Sequence, residues 1–169
     1  MIKVLRSVFG IRHSLELKDL LARAESRARE YSHDYIGVEH VFLSILELAE
    51  SHRARIILSC LPIDAPAFWP ELERQAKIIT GRPVPKFLPY TPRLQVVLRT
   101  SEKWAKVGSS PKVTVLHFVA AVANEGNSLV AVVFREALKK KGFTQSEEQK
   151  AAAYLTTLMT SSVSQIFHT

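Results

Sequence analysis

The chain has 169 residues, of which 47% are hydrophobic, and a formal net charge of +7, a composition typical of one globular domain with a substantial core. No apolar run reaches the roughly 20 residues that a transmembrane helix requires, and the basic residues form neither a continuous stripe nor a nucleic-acid-binding motif. The single cysteine, Cys60, cannot form an internal disulfide, so a reducing compartment, the cytoplasm, is expected. Composition therefore argues against a membrane or a nucleic acid as partner.

The first segment, residues 1–13, carries Lys3, Arg6 and Arg12, and the chain has no acidic residue before Glu16. We interpret it as a short leader that packs against the domain. The alternative is a transit segment for a plastid or another organelle, because such segments are basic and poor in acids.

Four helices are predicted in the first half, residues 14–80. Apolar residues recur at three- and four-residue steps from Leu17 to Ala28, and Ser14 can cap the helix that this spacing predicts. A more apolar helix follows around Val41 to Leu46. The pattern predicts two further helices, over Arg53–Cys60 and Trp69–Ile79.

A linker, residues 81–91, separates this half from a second one. The stretch "GRPVPKFLPYTP" has four prolines in twelve residues, and proline cannot continue a helix. Thr91 followed by Pro92 is a strong helix start. The second repeat is predicted over 92–160, with a helix over Leu129–Lys140 and a C-terminal helix over Thr144–Thr160, before a tail at 161–169.

The two halves resemble each other at an offset of 77 residues, which places His40 on His117. Several other pairs of similar residues match at this offset: Ser14 with Thr91, Leu20-Leu21 with Val97-Leu98, Ala28 with Ala105, and Val38 with Val115. Alternating strand patterns are nearly absent. The sequence therefore predicts an all-α domain built from two tandem repeats.

Two motifs resemble a known family. "RAREYSHDYIGVEHVFLSIL" is similar to the "GHxxIGTEHLLLGLL" signature in the N-terminal domain of Clp AAA+ unfoldases, and "LPYTPRLQVVL" is similar to the start of that domain's second repeat. The resemblance implies a pseudo-twofold bundle of about eight helices, from two four-helix Clp repeats. It also implies a docking platform for adaptors and degradation-tagged substrates, with no enzymatic activity.

The resemblance further implies a pocket for phosphorylated arginine in each repeat. In the first repeat it assigns Ser14 and Glu39; in the second it assigns Thr91, but Leu116 stands where the glutamate belongs and Thr114 where the motif has glycine. We therefore expect one candidate phosphoarginine or peptide site and one degenerate pocket. The alternative for Glu39 is a carboxylate in the first turn of a helix, where the helix dipole favours it.

His40 recurs as His117, whereas Glu39 does not recur. We interpret both histidines as hydrogen-bonded structural residues that tie a helix to the preceding loop. No serine or cysteine nucleophile is patterned around Glu39 and His40, and no third ligand is spaced to complete a metal site with His33. The chain also has no "GxxxxGK" phosphate-binding loop. We therefore expect no enzyme activity, no cofactor and no metal.

The predicted function is that of a non-catalytic accessory or adaptor protein of a Clp chaperone–protease. Its expected partners are Clp ATPase or protease subunits, Clp adaptors or tagged substrates. Two alternatives stay open at this point. The chain can be the excised N-terminal docking domain of a full-length Clp unfoldase, or a peptide- or helix-binding module of an unrelated assembly.

Overall fold

The computed structural model describes residues 11–47, 65–78, 82–140 and 142. Six helices and two short strands lie in these ranges: β1 (Arg12–His13), α1 (Leu15–Glu30), α2 (Val38–Glu47), α3 (Ala65–Ala76), α4 (Pro92–Val107), β2 (Lys112–Val113), α5 (Val115–Glu125) and α6 (Leu129–Lys140). The all-α class is confirmed. The helices predicted over Arg53–Cys60 and Thr144–Thr160 lie outside the described residues.

Helix α3 differs in its bounds from the predicted helix over Trp69–Ile79. It begins at Ala65, continues through Pro70 and ends at Ala76. Proline is most common in the first turn of a helix. Pro66 occupies the first turn, and Pro70 removes one backbone donor inside the helix.

The first long helix of each half begins and ends in the same way. The Ser14 hydroxyl accepts a hydrogen bond from the N–H of Leu17, and the Thr91 hydroxyl accepts one from the N–H of Leu94, both at 3.1 Å. Past the other ends, Ser32 and Ser109 have φ values of 56° and 53°. A seryl residue rarely adopts this left-handed conformation, which closes a helix end. The two capping residues are 77 residues apart, and so are the two left-handed serines, as the predicted offset requires.

The start of each half pairs with a turn of the other half. Strand β1 is parallel to β2, with His13 opposite Val113, and Ile36 forms the equivalent parallel bridge with Tyr90. The offset of 77 residues places His13 on Tyr90 and Ile36 on Val113, so it relates the two pairings. The two halves are therefore related by a pseudo-twofold axis, and the first helix of each half begins beside a turn of the other half.

The core lies between the helices of both halves. Three aromatic rings cross it edge to face: the ring of Phe42 is 6.1 Å from that of Phe68, which is 6.4 Å from that of Phe134. The apolar positions predicted for α1, from Leu17 to Ala28, are all buried. No single helix in the described ranges is long and apolar enough to cross a bilayer; α5 and the Leu129–Ala137 part of α6 meet that test only together, across a 74° bend.

Candidate functional site

Glu39 lies in the first turn of α2, with a side chain that is only 12% exposed. Its carboxylate folds back over the α-carbon of Gly37, so a β-carbon at that position would collide with the carboxylate oxygens. Burial raises the pKa of Glu39, and a hydrogen bond from its own backbone N–H opposes this shift. Among the described residues, no arginine or lysine forms a salt bridge with it.

A cavity of about 360 Å³ opens in front of this carboxylate. Its walls are Tyr35, Val38, Glu39, Thr91, Pro92, Arg93, Ser128 and Leu129. Val38, Pro92 and Leu129 are the first residues of α2, α4 and α6. Three helix N-termini therefore meet at the cavity, and helix N-termini present unpaired N–H groups and partial positive charge that favour anions.

Arg93 adds a cation to the same wall. Its guanidinium is 3.5 Å from the carboxylate of Glu125 and donates a hydrogen bond to the carbonyl of Asn127. Glu125 also accepts from the N–H groups of Asn127 and Ser128, at 3.1 and 2.6 Å. The loop before α6 is thereby fixed, and the Arg93 side chain, about half exposed, is held at the rim.

The structure groups the predicted site residues differently from the sequence analysis. The prediction joined Ser14 with Glu39 and Thr91 with Leu116. Thr91 instead lines the cavity of Glu39, whereas the backbone N–H of Ser14 donates to the carbonyl of Val113 at 2.9 Å. The grouping by repeat is wrong because the strand pairings place the start of each half against the other half.

The equivalent position in the other half has no carboxylate. Leu116, partly buried against the core, stands in the place of Glu39, and Thr114 stands in the place of Gly37. The N–H of Thr114 donates to Nδ1 of His117 at 3.0 Å. The structure therefore places a leucine beside a capped helix start at the position of the pocket predicted to be degenerate.

A buried pair of histidines supports the turn that carries Glu39. The N–H of Gly37 donates to Nδ1 of His40, Nε2 of His40 is 2.9 Å from Nδ1 of His33, and Nε2 of His33 is 2.9 Å from the carbonyl of Ile78. One assignment satisfies every bond: both rings are neutral and carry their proton on Nε2. His40, predicted as a structural residue, is fully buried. Burial lowers its pKa to about 3, and electrostatic interactions with His33 and Arg27 lower it further.

His117 makes only the first of these bonds. Its Nδ1 accepts from Thr114, but Nε2 is buried and has no hydrogen-bond partner in the part of the chain that the structure describes. The offset places Ser110 where the first half has His33, and the Ser110 hydroxyl donates instead to the carbonyl of Lys112. The longer histidine chain thus belongs to the half that carries Glu39.

Three polar residues of the cavity wall, Tyr35, Arg93 and Ser128, were not predicted as site residues from the sequence. Arg93 directly follows the Thr91-Pro92 helix start, and Ser128 precedes the apolar run of α6, whose Ala131 N–H it caps. Both positions are readable as helix starts, and helix starts are where anion sites form. Tyr35 gives no comparable signal. In the described ranges, no three His, Cys, Asp or Glu side chains are grouped to bind a metal.

The fold and the cavity together define a double-repeat helical binding domain. The chain belongs to the Clp repeat N-terminal domain family, whose model matches residues 12–137. Domains of this family dock substrates and adaptors. No curated protein matches the chain in sequence.

Solved structures share the fold at low sequence identity. The Hsp104 N-terminal domain from Candida albicans has a TM-score of 0.67 and 13% identity, over 83% of this chain and 89% of that one. A chain from work on a malarial protein secretion system gives 0.66 and 18%, over 88% and 95%. The N-terminal domain of ClpD, a caseinolytic protease associated chaperone from Arabidopsis thaliana, gives 0.56 and 13%, over 90% and 97%. At these identities the likeness concerns the fold alone.

Proposed function

We propose that the cavity around Glu39 binds a phosphorylated arginine side chain on proteins delivered to a Clp chaperone–protease. The observation that carries this proposal is the pairing of opposite electrostatic features in one cavity. The carboxylate of Glu39, only 12% exposed and with no arginine or lysine partner among the described residues, lies beside three helix N-termini and Arg93. A phosphoarginine side chain has the matching pair, a planar guanidino group and a terminal phosphoryl group.

The carboxylate of Glu39 supports the guanidino half of this ligand. Carboxylates bind guanidinium groups through two parallel N–H···O bonds, and such charge-assisted bonds are stronger than neutral ones. The side chain of Glu39 is only 12% exposed before any ligand arrives, and this burial raises its pKa. A guanidino group entering the cavity would therefore gain a strong partner without displacing an internal cation.

The helix N-termini support the phosphoryl half. At the start of α4 the N–H of Arg93 can donate to a phosphoryl oxygen, because Pro92 has no N–H and that of Leu94 is capped. The first N–H groups of α6 can donate as well. The Thr91 hydroxyl already caps α4 through the N–H of Leu94, and it can in addition donate its own proton to the ligand. Arg93 can contribute a cation from the rim.

A titration with free phosphoarginine, followed by NMR or calorimetry, tests the proposal. We expect one site, which Glu39→Gln weakens at least thirtyfold, since truncating one partner of a buried charge pair costs about 2 kcal/mol or more. Leu116→Ala is the matched control, because Leu116 is the equivalent residue of the other half, and it should leave the affinity unchanged. Two equal sites, or binding that ignores Glu39, would refute the assignment.

At the level of the cell, we propose a non-catalytic accessory or adaptor role in a Clp system. The family match supports a Clp context, and a chain without a "GxxxxGK" loop would act there by binding. The alternative, the docking domain of a longer Clp unfoldase, would use the same cavity. Purification of the native protein with its partners tests both: its size in extract separates the two forms, and recovery of no Clp subunit, adaptor or tagged substrate would count against either.

A further inference from the structure

A second cavity lies beside that of Glu39. It has a volume of about 550 Å³, and its walls are Asp34, Tyr35, Arg82, Pro89, Tyr90, Thr91 and Pro92. Three of these residues, Tyr35, Thr91 and Pro92, also line the Glu39 cavity. The two cavities are therefore neighbours along one groove, separated by the width of a shared wall.

The second cavity is lined by rings. Tyr35 and Tyr90 offer aromatic surfaces, and Pro89 and Pro92 offer flat apolar ones. The ring of Tyr35 is fixed from behind, because it stacks on the ring of His33 at 5.2 Å with 21° between the planes. The backbone of Tyr90 is fixed through its bridge to Ile36, and its side chain is partly buried against the core. Rigid aromatic walls bind a planar side chain without the entropic cost of ordering them.

Arg82 stands at this cavity with a loosely held guanidinium. Its ion pair with Asp34 has a length of 3.4 Å, and its side chain is 75% exposed. Exposed pairs of this kind contribute little to stability, so the guanidinium is available to a ligand. An arginine above an aromatic ring is attracted to the electron-rich face of the ring.

We propose that the ligand of the groove is an extended peptide segment, and that the cavity of Arg82 receives an aromatic side chain two residues from the charged one. In an extended chain, side chains at i and i+2 point to the same side and lie about 7 Å apart. Two cavities that share Tyr35, Thr91 and Pro92 are neighbours, so side chains on the same side of an extended peptide can enter both, whereas a neighbour at i+1 would point away. This inference rests on the proposed function of the Glu39 cavity.

Fluorescence anisotropy with labelled seven-residue peptides tests the proposal. Each peptide carries a central phosphoarginine, with phenylalanine, alanine or aspartate placed one or two residues away on either side. We expect phenylalanine two residues away, on one side, to tighten binding at least fivefold over alanine. The same change one residue away should have no effect.

Variants of residues outside the Glu39 cavity test whether the preference for phenylalanine arises at the cavity of Arg82. Arg82→Ala should remove most of the phenylalanine advantage and leave the affinity for free phosphoarginine unchanged. Arg99→Ala is the matched control, because Arg99 is an exposed arginine of α4 that lines neither cavity, and it should preserve the advantage.

The outcomes separate the two proposals. Peptides that bind through Glu39 with no preference two residues away would overturn the groove and leave the phosphoarginine site standing. A preference for aspartate at that position would assign the cavity to a salt bridge with Arg82 and overturn the aromatic occupant. If no phosphoarginine peptide binds, both proposals fail.

Discussion

Replacing His40 with asparagine tests the buried histidine chain. The asparagine side-chain oxygen can take the position of Nδ1 and keep the hydrogen bond from the N–H of Gly37. The bond between Nε2 of His40 and His33, 2.9 Å long, is lost, and a buried acceptor on His33 remains unpaired. Leaving one buried polar group unpaired costs about 1–3 kcal/mol, so His40→Asn should lower the free energy of unfolding at pH 7 by that amount.

The same variant should change the pH dependence of stability. The pKa of His40 is lowered from 6.5 to about 3 in the folded protein, so between these values the unfolded chain binds a proton that the native state refuses. The stabilisation is therefore complete above pH 6.5 and is lost as the pH falls. From pH 7 to pH 5 the loss from this one residue is about 2 kcal/mol.

Other groups titrate in the same range, so the difference between the two proteins is the informative quantity. Glu39 has a raised pKa and acts in the opposite direction, since its native state takes up a proton first as the pH falls. The pKa values of His13 and His117 are lowered by burial and act in the same direction as His40. These contributions are common to the wild-type protein and His40→Asn, and they cancel in the difference.

Urea unfolding followed by far-ultraviolet circular dichroism, at several pH values from 7 to 5, measures this difference. We expect the stability curves to approach each other toward pH 5. His117→Asn is the control: because Nε2 of His117 has no hydrogen-bond partner within the described ranges, its replacement should cost less than that of His40 at pH 7. If the difference in unfolding free energy between wild type and His40→Asn is the same at pH 7 and pH 5, the pKa of His40 is not lowered in the folded protein.

Two further predictions concern the candidate site. Ser14→Ala and Thr91→Ala each remove a helix cap with a 3.1 Å bond and should each lower the free energy of unfolding by about 1 kcal/mol, but only Thr91→Ala should weaken phosphoarginine binding in a titration; equal effects on binding would contradict the grouping of Thr91 with Glu39. Gly37→Ala should displace the carboxylate of Glu39, weakening binding at least tenfold while the unfolding free energy changes by less than about 1 kcal/mol; unchanged affinity would show that the carboxylate is not held in its binding position by this contact.

The helices could be predicted because their signals are local. The spacing of apolar residues and the hydroxyl groups of Ser14 and Thr91 mark the same helix starts in sequence and in structure. The pairing of the start of each half with a turn of the other half could not be predicted in this way. An offset shows which residues are equivalent, but it does not show which half each residue contacts. Pairings as short as His13 with Val113 and Ile36 with Tyr90 leave no alternating pattern to detect.

The candidate site was predictable only in part for the same reason. Glu39 came from a motif within one repeat, whereas Arg93 and Ser128 reach its cavity from two helices of the other repeat. The bond between His33 and His40 spans a turn that ends at Gly37. From the sequence, His40 was expected to be a structural residue and a metal site with His33 was not expected, but their mutual hydrogen bond could not be predicted, because ring orientation depends on a backbone turn that spacing does not define.

This pairing between the halves also explains why the two predicted pockets differ at the carboxylate position but both have a hydroxyl group. Each pocket takes its carboxylate position from one half and its hydroxyl from the other, so Glu39 faces Thr91 and Ser14 lies with the half of Leu116. The hydroxyls stabilise α1 and α4 whether or not a ligand binds. A desolvated carboxylate such as that of Glu39 opposes folding unless a cation joins it. A pocket without a ligand therefore has a physical reason to retain its hydroxyl and to replace its carboxylate with leucine, which is the combination present beside Thr114.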